Sequence, residues 1–75
     1  MFGEMIRYFR MRVLNMTLKE VSHETGIPVS TLSTVERGKS TNYKYIYVYR
    51  DLCKNEKQKQ VFASMVTDLF FNEVK

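Results

Sequence analysis

One cysteine, one histidine and three scattered glycines leave this 75-residue chain little for thiol, imidazole–metal or phosphate-loop chemistry. Cys53 alone closes no internal disulfide, so nothing points to an oxidising compartment, and its expected role is a small hydrophobe on a helix. His23 has no Cys, His or Asp at ligand spacing and is expected at the surface or at a cap, with no metal and no cofactor. Gly3, Gly26 and Gly38 stand apart from one another and cradle no phosphate. Nothing assembles a nucleophile, a base and an oxyanion donor, so neither an enzyme nor a small-molecule substrate is expected. Long apolar runs are also missing. The C-terminal stretch 61–71 is broken by Asp68 and is far too short for a bilayer. Glu4, Arg7, Arg10 and Arg12 interrupt any secretion-signal core near the start. A soluble, cytoplasmic protein without a membrane partner is the expectation.

What the chain does contain is basic charge and bulky apolar side chains. Twelve Lys and Arg face eight Asp and Glu, giving a net charge of +4, and five Phe, five Tyr and five Met supply apolar volume. The length suits one domain, 1–75, burying about 60% of its unfolded surface. The charge balance favours polyanionic partners.

The organisation is read from capping residues and periodicity. Ile6, Phe9 and Val13 stand at helical spacing, predicting a first helix from Phe2 to about Leu14, closed by Asn15. Thr17 and Glu20 form the T-x-x-E capping box of a second helix over 18–25, and Gly26 suits its end. Ile27 reads as a core plug, and Pro28 as the first position of a third helix over 29–37. There Leu32 and Val35 point inward, Ser30, Ser33, Thr34 and Arg37 outward, and Gly38 ends the helix. Two short helices joined by a glycine turn, within 17–38, are the helix-turn-helix arrangement, whose second helix enters the DNA major groove. Tyr43, Tyr45, Tyr47 and Tyr49 alternate with Lys44, Ile46, Val48 and Arg50, a period that fits a strand. The same residues fit a helix capped by Asn42 with Tyr45, Ile46, Tyr49, Leu52 and Cys53 inward. A lone strand has no partner, which favours the helix. A last helix is expected over 56–74, with Val61, Phe62, Met65, Val66, Leu69 and Phe70 as a broad stripe widened by Phe71 and Val74.

At Thr17–Ser22 (TLKEVS), Gly26–Ser33 (GIPVSTLS) and Val35–Lys39 (VERGK) the chain resembles the Cro and phage-repressor class, the XRE family of bacterial and phage regulators. The likeness runs from about Met5 to Lys44. It implies an all-α, five-helix, lambda-repressor-like or Cro-like domain, and a helix rather than a strand at the tyrosines. It also implies base contacts from Val29, Ser30 and Thr34, to which the exposed Ser33 is added. The family often places glutamine there, whereas 28–36 holds no Arg, Asn or Gln for the bidentate contacts worth about 1–3 kcal/mol each. Arg37, Lys39, Thr41, Asn42 and Lys44 fall where the family grips phosphates. Leu18 replaces a phosphate-binding glutamine, leaving the role to Lys19 beside it. Arg10 and Glu36 resemble a buried structural pair. One extra residue between Arg10 and Thr17, relative to the usual spacing, makes Arg12 a rival partner.

The expected function is that of a small DNA-binding transcriptional regulator, a repressor of duplex DNA. Phe62, Met65, Val66, Leu69, Phe70 and Phe71 are the candidates for a homodimer seam. The alternative is a protein-binding module on the same scaffold, such as an antirepressor, an antitoxin or an inhibitor of a regulator. A third reading stacks single-stranded nucleic acid on the tyrosines.

Overall fold

Asn15 adopts the left-handed conformation, φ 54° and ψ 45°, and ends the first helical stretch where expected. The computed structural model describes residues 2–39 and 42–73. The proposed phosphate contact Thr41 and the expected helix end at Val74 therefore lie outside the described residues. Five α-helices follow in order: α1 (Phe2–Tyr8), α2 (Leu18–Thr25), α3 (Val29–Glu36), α4 (Lys44–Asp51) and α5 (Glu56–Glu73). No strand occurs among the described residues, so the tyrosine run is helical.

The first helix differs from its expected form. After Tyr8 it continues as a π-helix, Phe9–Leu14, the wider i→i+5 form that is rare in proteins. Its end is drawn onto one acceptor, the Arg10 carbonyl, which receives the Asn15 N–H and, at 3.0 Å, the Met16 N–H. The wider turn brings Phe9, Arg10 and Leu14 into the core and leaves Met11 and Arg12 in solvent. Val13, expected inward, is only half-buried, and Leu14 takes that place.

The capping box of α2 is complete. Thr17 Oγ1 accepts from the Glu20 N–H at 3.1 Å, and Glu20 Oε1 accepts from the Thr17 N–H at 2.8 Å. The bond from that backbone N–H holds the Glu20 carboxyl below its ordinary range. The cap is thus present above the usual glutamate value and is lost as pH falls through the lowered one. Gly26 at φ 76° turns the chain, and half-buried Ile27 plugs the gap. Pro28 sits one position earlier than expected. It is the residue before α3, with extended ψ 145°, and its carbonyl accepts from the Leu32 N–H. Helix α3 ends at Glu36, one residue short of the expected 37, because Gly38 takes φ 75° and the Lys39 N–H folds back to the Thr34 carbonyl. Asn42 Oδ1 accepts from the Lys44 N–H at 3.0 Å and so caps α4. Asn55 does the same for α5 through the Gln58 N–H at 2.9 Å.

Ile6, Phe9, Val21, Leu32, Val35 and Tyr49 are the fully buried centre. Helix α3 packs on α2 and α1, and α5 covers α1 and the π segment through Phe62 against Phe9 at 4.7 Å. The approach of α1 to α3 depends on Gly3. A β-carbon there would lie 2.6 Å from the carbonyl oxygens of both Val35 and Glu36. Those atoms are backbone and cannot swing aside. Replacing Gly3 by Ala is expected to cost about 1–3 kcal/mol, lowering the melting temperature by about 4–8 °C for each kcal/mol. A thermal scan followed by circular dichroism reads this, and an unchanged midpoint would mean that the helices are not in such close contact.

Candidate nucleic-acid interface

Helix α3 carries its apolar residues on one side because Leu32 and Val35 are three apart, and both are buried. That leaves Val29 and Ser30 exposed at the start of the helix, with Val29 41% accessible. Ser33 and Thr34, expected on the outer face, are half-buried. Thr34 Oγ1 donates to the Ser30 carbonyl at 2.9 Å, so its proton is engaged within the helix and only its acceptor capacity is left. The outer face is consequently shallow and poor in donors.

The cations are better placed. Lys19 is exposed in the first turn of α2, and Arg37 and Lys39 are exposed just past α3. Lys44 is exposed at the start of α4, its ammonium 5.5 Å from the centre of the Tyr45 ring. Asn42, exposed as well, spends its side-chain oxygen on the α4 cap. An open groove of about 740 Å³ runs between α1 and the end of α3. Its lining combines Glu4 and Arg7 of α1, Leu18 of α2, Ser33 of α3, Arg37 and Lys39 just after it, and the buried Arg10 and Glu36. Arg7 was not singled out by the sequence pattern, because α1 precedes α3 by some twenty residues and only folding brings the two together.

Arg10, not Arg12, is the partner of Glu36. The guanidinium grips both carboxylate oxygens, Nε to Oε2 at 2.7 Å and Nη2 to Oε1 at 3.0 Å. Its Nη1 donates to the Met16 carbonyl at 2.8 Å, and the Tyr49 hydroxyl donates to Glu36 Oε2 at 3.1 Å. The hydrogen bond to Glu36 raises the Arg10 pKa above its ordinary value, against the opposing effect of burial. Burial, and then the adjacent Glu36 charge, push the Tyr49 phenol well above its usual range. No buried side-chain polar atom among the described residues lacks a partner. The sequence pattern marks Tyr49 simply as an inward aromatic. Its hydroxyl was the available signal, since a buried tyrosine oxygen needs a polar neighbour.

Two of the proposed seam residues are unavailable for a seam. Phe62, 3% accessible, and Leu69 belong to the core, because α5 turns that stripe onto α1 and the π segment. Met65 and Val66 are half-buried, Phe70 leans on Tyr43 at 5.6 Å, and Phe71 is 73% accessible. The tyrosines likewise split. Tyr45 and Tyr49 are core, Tyr43 lies between Phe2 and Phe70, and Tyr47 lies under the Arg50 guanidinium at 5.1 Å. They do not form one stacking platform. Burial raises the Cys53 thiol, which lies 3.8 Å from the Tyr49 carbonyl, and His23 is exposed. Among the described residues no three His, Cys, Asp or Glu converge, and no helix is long and apolar enough to cross a membrane.

The buried quartet has a clear mutational signature. Arg10→Ala strands the Glu36 carboxylate and is expected to cost about 3–5 kcal/mol. Replacing the charged pair and its phenol together, by Arg10→Met, Glu36→Leu and Tyr49→Phe, is expected to cost less than that single change. Urea denaturation compares them, and a triple variant weaker than Arg10→Ala would contradict this account. No protein-family model, no curated protein and no solved structure matches this chain.

Proposed function

We propose that α2, the Gly26–Pro28 turn and α3 are a helix-turn-helix of the Cro and phage-repressor type, and that the protein is a repressor-type regulator of duplex DNA. The observation that carries this is the exposed start of α3 flanked by solvent-facing Lys19, Arg37, Lys39 and Lys44, with its far end held by the buried quartet. A helix presented in this way can enter a major groove while cations on either side neutralise phosphates. The π segment supports the family reading. It takes up the one residue by which the chain exceeds the family's usual spacing, so that Arg10 still reaches Glu36.

Base recognition falls to Val29, Ser30, Ser33 and Thr34. Val29 can press on a thymine methyl, and the small hydroxyls discriminate weakly. Specificity then rests largely on water and on DNA shape, and affinity on phosphates. A homodimer meeting through the part of α5 left outside the core, the half-buried Met65 and Val66 with the exposed Phe70 and Phe71, would set two recognition helices about 34 Å apart on a two-fold operator. Repression would follow from occupying a promoter.

A second reading, a protein-binding module, draws on the exposed Val29 and the half-buried Leu18, apolar where a DNA-reading surface would carry polar groups. One experiment separates the two. A mobility-shift titration on a mixed pool of duplexes is expected to show binding that weakens steeply with added salt, and Arg37→Glu with Lys39→Glu should remove it. Binding that survives that double reversal would place the contact elsewhere. A protein that shifts no duplex at low salt but retains a polypeptide partner would favour the second reading.

A further inference from the structure

We propose that the groove between α1 and the end of α3 seats a backbone phosphate of the duplex, with Arg7 as its outer cation, so that α1 joins the DNA interface. This rests on the duplex-binding reading and extends it to a helix that the sequence had left out.

The groove collects an excess of positive charge. Arg7 comes from α1 and Arg37 and Lys39 from the chain just after α3, and none of the three forms an ion pair among the described residues. Arg10 lies at the base but is already engaged by both oxygens of Glu36 and by the Met16 carbonyl. Glu4 is the other carboxylate of the lining. Cations therefore outnumber carboxylates, and bringing three unpaired ones around one hollow raises the local potential in the way that draws in an anion.

The shape favours a chain-like anion over a free ion. The hollow opens to solvent, and its lining includes the half-buried Ser33, one of the α3 residues assigned to base contact. A strand read by α3 can thus pass directly into it. Leu18 supplies an apolar stretch of wall, which suits a deoxyribose better than it suits a hydrated inorganic phosphate. Arg7 brings the planar fork that matches a phosphodiester's two free oxygens. Two smaller hollows adjoin the groove, and Arg7 lines both. Arg12, on the same helical stretch, lines the second hollow but not the groove.

Fluorescence anisotropy with a labelled mixed-sequence duplex, titrated at several salt concentrations, tests this for the full chain. Each neutralised phosphate contributes about 0.9 to the slope of log affinity against log salt. Arg7→Ala is expected to lower the steepness by about that amount per protomer. Arg7→Lys should restore most of it, and Arg12→Ala should leave it unchanged. If the duplex binds but Arg7→Ala leaves the slope untouched, or Arg12→Ala lowers it equally, the phosphate seat is wrong while duplex binding stands. If the wild-type protein binds no duplex at low salt, both ideas fall. A parallel titration with inorganic phosphate, followed by the Arg7 Nε signal in NMR, is expected to show no saturable shift. Saturation there without duplex binding would assign the groove to a free anion instead.

Discussion

Arg10 is bound at once to the end of α3, to the loop that enters α2 and, through Glu36, to α4. A guanidinium can do this because its donors point in fixed, separate directions, two matching a carboxylate and a third reaching the Met16 carbonyl. Tyr49 occupies the same Glu36 oxygen as Nε, so the carboxylate is surrounded by donors from two directions. In a chain this short the apolar core is small, and a satisfied buried network specifies how the helices meet more sharply than hydrophobic contact does. Such a pair does not have to add net stability, since desolvation offsets much of its attraction. Its contribution is to hold α3 at one angle and one depth.

Two backbone features make that arrangement reachable. The π turn moves Arg10 and Leu14 to the inner side of the first helical stretch and sets the Arg10 carbonyl to receive the N–H groups of Asn15 and Met16. The missing side chain at Gly3 lets α1 lie against the Val35 and Glu36 carbonyls. The pair therefore closes across a narrow interface, with α1 seated on the same turn of α3 that supplies Glu36. Helix α5 then covers the other side, placing Phe62 on Phe9.

The outer surface that results is divided in its chemistry. The outer side of α3 offers Val29 and short hydroxyls, one of them already bonded within the helix, groups that discriminate base edges weakly. On the flanks Lys19, Arg37 and Lys39 are exposed and form no ion pair among the described residues, which suits them to a polyanion. In the proposed duplex complex, such a surface would rely more on electrostatics and on the shape of the duplex than on hydrogen bonds to base edges.

Local signals were legible in the residues themselves. The capping box at Thr17 and Glu20, the turn at Gly26, the stops at Asn15 and Gly38 and the cap at Asn42 each involve groups only a few positions apart. Such bonds close locally and call for no distant partner, so the residue order alone suggests them. The inward faces of α2 and α3 followed from apolar spacing for the same reason. The choice of Arg10 over Arg12, the hydroxyl of Tyr49 on Glu36, the loss of Phe62 and Leu69 to the core and the arrival of Arg7 beside Arg37 and Lys39 were decided only in three dimensions. Each depends on how far a helix turns and on what it meets across the core. A widening of one turn, such as that at 9–14, re-aims every side chain beyond it without leaving a mark in the hydrophobic pattern.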